Sequence, residues 1–166
     1  DSKGTLWLGA SSGLYRQEKN TRNFERYDLS KLPGCNLTSN EVIGIIESRL
    51  NGLWLRTNAG LFFYSYATDK VERHGYDQTK GDVFFSQDVN AIYEDDDSTL
   101  WVGTWQGGLG KYNTRTRKIR NYTTNDGLPG MSIQSILEDE PNNMLWMGSF
   151  DGLIRFNKQT NQFNSF

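Results

Sequence analysis

The sequence predicts an all-β fold, a β-propeller fragment of about four consecutive four-stranded antiparallel blades, the first lacking its innermost strand. Three observations predict it. A Leu-Trp pair recurs at Leu6-Trp7, Leu53-Trp54, Leu100-Trp101 and Leu145-Trp146, so that successive tryptophans stand 47, 47 and 45 residues apart. A Gly-Leu pair follows each of them, at Gly13-Leu14, Gly60-Leu61, Gly108-Leu109 and Gly152-Leu153. Glycine and asparagine interrupt every segment within about ten residues, too soon for a stable helix.

Each repeat reads as four short strands. The first is apolar or alternating, over Val42–Ile46, Val89–Tyr93 and Ile133–Leu137, and a carboxylate follows it at Glu47, Glu94 and Glu138. A polar turn comes next, and in the second copy it ends in Asn51-Gly52, a strong hairpin signal. The Leu-Trp strand is second. A tight loop, Asn58-Ala59-Gly60 or Phe150-Asp151-Gly152, leads to the third strand, which carries Tyr64, Tyr112 or Phe156. A threonine (Thr21, Thr68, Thr116, Thr160) then marks the turn to a fourth strand. That strand carries two side chains three apart, as in Phe24 and Tyr27, Val71 and His74, Ile119 and Tyr122, or Phe163 and Phe166. The expected blades are 1–28 (incomplete), 42–77, 89–123 and 133–166, all within one partial propeller spanning 1–166. Trp7, Trp54, Trp101 and Trp146 are its expected inter-blade core.

The register places Asp1-Ser2-Lys3-Gly4 in the middle of a repeat, which points to a piece of something longer. Both ends are expected to expose an apolar blade face and an unpaired strand edge. Propellers close with four to eight blades. The chain is therefore expected either to continue into further blades or to associate with a second copy through its exposed edges.

Composition narrows the function. With 18 Lys plus Arg against 20 Asp plus Glu, the net charge is -2, and no long block of one sign offers a grip on nucleic acid or anionic lipid. The short run Glu94-Asp95-Asp96-Asp97 reads as a solvated turn. A single cysteine, Cys35, builds neither a disulfide framework nor a metal knot. No apolar run is long enough to cross a membrane. No cofactor or metal ion is expected.

The candidate sites lie on loops. In a propeller, the loop from second to third strand and the linker between blades open on the same face. Four residues after each repeat tryptophan stand Ser11, Asn58, Trp105 and Phe150, which vary where the core position does not. Trp105 has Gln106 beside it and an extra residue in its loop. It reads either as a platform for the apolar face of a sugar ring, with Gln106, Asp151 and Asn58 reaching hydroxyls, or as a plug on the next blade's linker. Phe84 and Phe85, on the linker Gly81–Gln87, read as an exposed patch for a partner domain or as a plug in the seam between blades.

His74, the lone histidine, stands where other copies carry Tyr27, Tyr122 and Phe166, and is expected to fill an aromatic slot. Glu47, Glu94 and Glu138 share one blade position, which suggests a repeated structural hydrogen bond rather than an acid and base set for glycosidic cleavage. No phosphate loop or nucleophile elbow is present, so no catalytic residue is assigned.

Several phrases resemble the two-component regulator propeller repeat. These are Val89-Asn90-Ala91-Ile92-Tyr93-Glu94-Asp95, Leu100-Trp101-Val102-Gly103-Thr104 and Gly108-Leu109-Gly110-Lys111-Tyr112-Asn113, with Asn125-Asp126-Gly127-Leu128-Pro129 resembling that family's blade-to-blade linker. The pattern returns in Ser135–Asp139 and Leu145–Ser149. Copy two departs from it, with Arg56 where copies three and four have Gly103 and Gly148. The resemblance implies a periplasmic, non-catalytic segment of a membrane-anchored hybrid histidine kinase. In that setting an oligosaccharide from polysaccharide breakdown is the implied ligand, and the remaining blades and a small β-sandwich are the implied partners. A protein-interaction or dimerisation scaffold is the alternative, and a polysaccharide-active enzyme is a third reading.

Overall fold

A computed structural model describes residues 1–29, 41–77, 82–96 and 98–166. Cys35, Gly81 of the linker and Asp97 of the acidic run lie outside the described residues. The chain forms two compact units, Asp1–His74 and Gly75–Phe166.

The first unit holds two blade sheets. One has three strands, β1 (Trp7–Ala10), β2 (Gly13–Gln17) and β3 (Phe24–Tyr27). The other has four, β4 (Val42–Ser48), β5 (Gly52–Thr57), β6 (Gly60–Ser65) and β7 (Lys70–His74). The second unit opens with a short hairpin of β8 (Tyr76–Asp77) and β9 (Asp82–Val83). Two four-stranded blades follow. The third blade is β10 (Val89–Glu94), β11 (Thr99–Thr104), β12 (Gly108–Asn113) and β13 (Ile119–Tyr122). The fourth is β14 (Ile133–Asp139), β15 (Met144–Ser149), β16 (Gly152–Asn157) and β17 (Gln162–Ser165). Within every blade, sequential strands pair antiparallel.

The same blade-to-blade seam is built once in each unit. In the first, Trp7, Leu14 and Tyr27 meet Leu53, Leu55 and Tyr64 of the next blade. In the second, Trp101, Leu109 and Tyr122 meet Leu145, Met147 and Phe156. The ring geometry repeats as well. Trp7 lies 5.1 Å from Tyr64 and Trp101 lies 5.4 Å from Phe156, while Tyr27–Tyr64 and Tyr122–Phe156 are 5.5 and 5.3 Å apart. Trp7 and Trp101 face the blade that follows within the same unit, because side chains alternate along a strand. Leu53 and Leu145 face the preceding one. Trp54 and Trp101 are fully buried, Trp7 and Trp146 half-buried. Trp146 rests on Phe166, at 5.5 Å, on a face where Leu137, Leu153 and Phe166 stand exposed. Leu6, Leu8 and Phe24 of the first blade are exposed too.

Turn chemistry explains the remaining repeat signals. Asn113 and Asn157 each fold back so that their Oδ1 accepts backbone N–H groups two and three residues on, ending at Thr116 and Thr160. The Asn-Asp-Gly-Leu-Pro linker is a capped 3-10 turn over Thr124–Asp126. The Thr123 hydroxyl accepts from Asn125 N, Asp126 Oδ2 accepts from Thr123 N at 2.9 Å, and Gly127 takes a left-handed φ of 86°. Leu128 then drops into the core.

Two features go beyond the sequence pattern. Each first strand runs past its expected end, and each carries a bulge near its start, between Val42 and Gly44, Val89 and Ala91, and Ile133 and Ser135. The acidic run is also more than a solvated turn. Asp96 Oδ1 caps the turn by accepting from Ser98 N and Thr99 N, both at 2.7 Å. Asp95 Oδ2 accepts from Trp101 Nε1 at 3.0 Å, as Asp1 Oδ2 accepts from Trp7 Nε1 at 2.8 Å. An aspartate six residues before the tryptophan thus satisfies a partly buried indole N–H in two copies, a spacing visible once the repeats are aligned.

Candidate functional site

Three of the four loops from second to third strand close with one hydroxyl. Thr57, Thr104 and Ser149 each end the second strand and donate to the carbonyl of Gly60, Gly108 and Gly152 at 3.0–3.1 Å. The loops of the other blades hold two residues between strands, whereas the third blade's holds Trp105, Gln106 and Gly107. The extra residue is accommodated by Gln106 in the left-handed region, φ 54°, and by Gly107. A Cβ on Gly107 would lie 2.6 Å from Ser86 N, so only glycine lets the loop settle against the preceding linker.

Backbone bonds hold this loop on both sides. Trp105 N donates to Asp88 O at 2.8 Å, within the segment leading into β10. Gln106 N donates to Ser132 Oγ at 3.1 Å and Gly108 N to Met131 O at 2.8 Å, both in the linker leading into β14. With its backbone fixed, Trp105 turns its ring outward, 40% exposed, against Phe150 of the fourth blade's loop. The two rings meet at 5.0 Å and 83°, with Phe150 65% exposed. They form an open corner with one ring as floor and the other as wall. Asp151 follows on the same loop. Its N–H donates to Ser149 Oγ, and its Oδ2 lies 2.6 Å from the position a Cβ on Gly130 would take. Ser132, Gly130 and Asp88 are thus part of the corner. They had no motif of their own; Gly130 and Ser132 follow the capped linker, and Asp88 follows the linker that carries Phe84 and Phe85.

The other sequence candidates are placed differently. Asn58 lies in the first unit, where its amide nitrogen faces Glu41 Oε2 at 3.5 Å. Phe84 is not an exposed interaction residue. It is 3% exposed, T-stacked on Tyr112 at 5.9 Å, in a space kept open by Gly75 and Gly110. Phe85 points outward, 64% exposed, next to the Ser86 that abuts the Trp105 loop. His74 packs edge-on to Trp54 at 5.0 Å.

The recurring glutamates oppose Leu53, Leu100 and Leu145 in register. Glu47 accepts from Ser2 N and Oγ, which holds its carboxyl below the usual glutamate range. Glu138 accepts from the Tyr93 hydroxyl and pairs with Lys158. Both hold neighbouring segments together. Among the described residues no cluster of His, Cys, Asp and Glu could hold a metal ion, and no helix is long and apolar enough to cross a membrane.

Residues 84–106 match the two component regulator propeller family. The matched segment runs from Phe84 through the Leu-Trp strand to Trp105 and Gln106, one half of the corner. Solved structures of similar fold include the extracellular domain of BT3049, assigned to a hybrid two component system of B. thetaiotaomicron, at 25% identity and a TM-score of 0.77. The extracellular domain of BT4673 from the same organism aligns at 24% identity with a TM-score of 0.80. Each alignment covers 100% of this chain, which spans only 22% and 24% of those chains. A gluconolactonase from Xanthomonas campestris, XC5397, shares the fold at 14% identity, with a TM-score of 0.64 over 98% of this chain and 58% of its own. No curated protein sequence matches the chain. Over residues 84–106 the chain is thus similar to a two component regulator propeller, and over its whole length to parts of the extracellular domains of two-component proteins.

Proposed function

We propose that this chain is part of the extracytoplasmic ligand-sensing propeller of a hybrid two-component sensor kinase, and that an oligosaccharide binds at the Trp105–Phe150 corner. One observation carries the binding site: two exposed rings meet at a right angle on loops whose backbone is already fixed. A preorganised aromatic face loses little entropy on binding, and its flat surface suits the C–H face of a pyranose. Gln106 and Asp151 directly follow the two ring residues in sequence, and an amide with a carboxylate supplies both hydrogen-bond polarities a hydroxyl needs. Signalling then requires only that ligand favour one arrangement of an ectodomain dimer over another. The extracellular two-component neighbours support the setting. The remaining blades, a sandwich domain and a membrane anchor belong to the parent chain in this reading.

A scaffold reading has its own support in the exposed Leu137, Leu153 and Phe166 on one terminal blade face and Leu6, Leu8 and Phe24 on another. One variant separates the two. In the parent ectodomain, Trp105→Ala is expected to weaken oligosaccharide binding about tenfold or more, measured by calorimetry, while leaving dimerisation intact. Unchanged binding with a weakened dimer would favour the scaffold.

A further inference from the structure

We infer that the Trp105–Phe150 corner selects neutral oligosaccharides and turns away anionic ones, an inference that rests on the sugar-binding reading above. The four segments that build the corner and its surroundings are 84–88, 105–107, 123–132 and 150–151. Together they carry three aspartates, Asp88, Asp126 and Asp151, and no lysine, arginine or histidine. Asp126 faces Arg120 at 4.0 Å, whereas Asp88 and Asp151 enter no ion pair among the described residues. Asp151 adjoins Phe150 directly and is exposed. The charged side chains of these segments are therefore all negative, with Asp151 the one next to a ring residue.

A sugar lying on Trp105 would meet an uncharged amide at Gln106, a hydroxyl at Ser132 and a carboxylate at Asp151. Sugar hydroxyls donate well to a carboxylate, and such charge-assisted bonds are among the stronger ones. A uronic acid or a sulfated sugar brings a second anion to the same place. With no cation in these segments to offset it, like charges repel and the anion loses water without compensation. A cationic ligand is disfavoured for a different reason. Aromatic sites for ammonium groups work by enclosing and desolvating the charge. Here two walls, 40% and 65% exposed, leave the corner open to water. Two perpendicular faces suit a flat, uncharged ring and its neighbour along a chain.

The test is a titration of the parent ectodomain at low ionic strength, where surface charge is least screened. The probes are neutral hexasaccharides of glucose, galactose, mannose and xylose, with hexagalacturonate, a chondroitin sulfate hexasaccharide and a chitosan hexamer. At least one neutral probe is expected to bind about tenfold or more tighter than either anionic one, with Trp105→Ala abolishing that preference. Asp151→Lys is expected to move the ratio toward hexagalacturonate. Trp105-dependent binding of an anionic probe or of chitosan ahead of every neutral probe would overturn the inference while leaving a sugar site at the corner. If no probe binds in a Trp105-dependent way, the sugar reading fails and this inference fails with it. Circular dichroism of each variant shows that a lost signal is not a lost fold.

Discussion

Lys158 Nζ stands 2.9 Å from Asp95 Oδ1, joining the last turn of the fourth blade to the first turn of the third across 63 positions of sequence. The same ammonium pairs with Glu138, which also receives the Tyr93 hydroxyl. Trp101, a core residue of this seam, donates its indole N–H to the same Asp95. The clip therefore ties the rim of the seam to its apolar centre.

Removing the cation would leave two carboxylates facing each other with side chains only 18% and 13% exposed. Lys158→Met is expected to cost about 2–3 kcal/mol in urea unfolding, somewhat below the figure for a fully buried pair. Adding Glu138→Gln should recover part of that loss, since it removes one of the opposed charges. Burial pulls the Lys158 pKa down, but the bonds to Glu138 and Asp95 outweigh burial and leave it above the ordinary lysine value. A raised folded pKa contributes stability that is complete below the unfolded value and disappears as pH climbs through the folded one. Unfolding free energy should thus fall as pH rises beyond roughly 10.4, with a slope that Lys158→Met lacks. A single variant within about 0.5 kcal/mol of the parent would remove the clip from this account.

Gly103 and Gly44 offer a matched pair for the spacing between strands and blades. A Cβ on Gly103 would lie 2.6 Å from Cγ2 and 2.9 Å from Cβ of Ile133, a fully buried branched residue of the next blade that has nowhere to move. Gly103→Ala should therefore cost about 1–3 kcal/mol. In the second blade Arg56 occupies the position of Gly103, and its strand partner Gly44 makes room for the guanidinium. Burial depresses the pKa of that guanidinium. Because the crowded atoms are the far end of a flexible chain, Gly44→Ala should cost under about 1 kcal/mol. Thermal denaturation of both variants checks the ordering, and equal costs would count against it.

Glu47 should reveal itself at acid pH. The Ser2 hydroxyl and amide both favour its ionised form and depress its pKa. A depressed folded pKa contributes above the ordinary glutamate value, and the contribution is lost as pH falls through the folded one. The Ser2 amide resonance should therefore shift with a midpoint below roughly 4.3, and Glu47→Gln should abolish the titration. A midpoint at or above the ordinary value would mean the contact is absent in solution.

Much of the fold is legible in the sequence, and for a physical reason. An inter-blade seam needs a large apolar side chain at the same point of every blade, so the Leu-Trp pair, the Gly-Leu pair and the aromatic of the third strand had to recur. The turn residues were equally legible, since Asn113, Asn157 and Gly127 answer to local backbone geometry. The corner was only half legible. Trp105 stood out because it varies at a loop position, and Phe150 and Asp151 stood at the matching place. Nothing local announced that Ser132 would hold Gln106, or that Gly130 would leave room for Asp151, because these partners lie 26 and 21 positions apart.

By itself, then, the sequence determined the strand order, the four-fold repeat and which rings line the seams, because those follow from alternation along a strand and a constant repeat length. Only the tertiary structure decided between Phe84 and Phe85. The two are chemically identical neighbours, and no pattern of residues distinguishes them. A space kept open by Gly75 and Gly110, from segments before and after the linker, takes Phe84 out of water, and the bend that follows leaves Phe85 exposed.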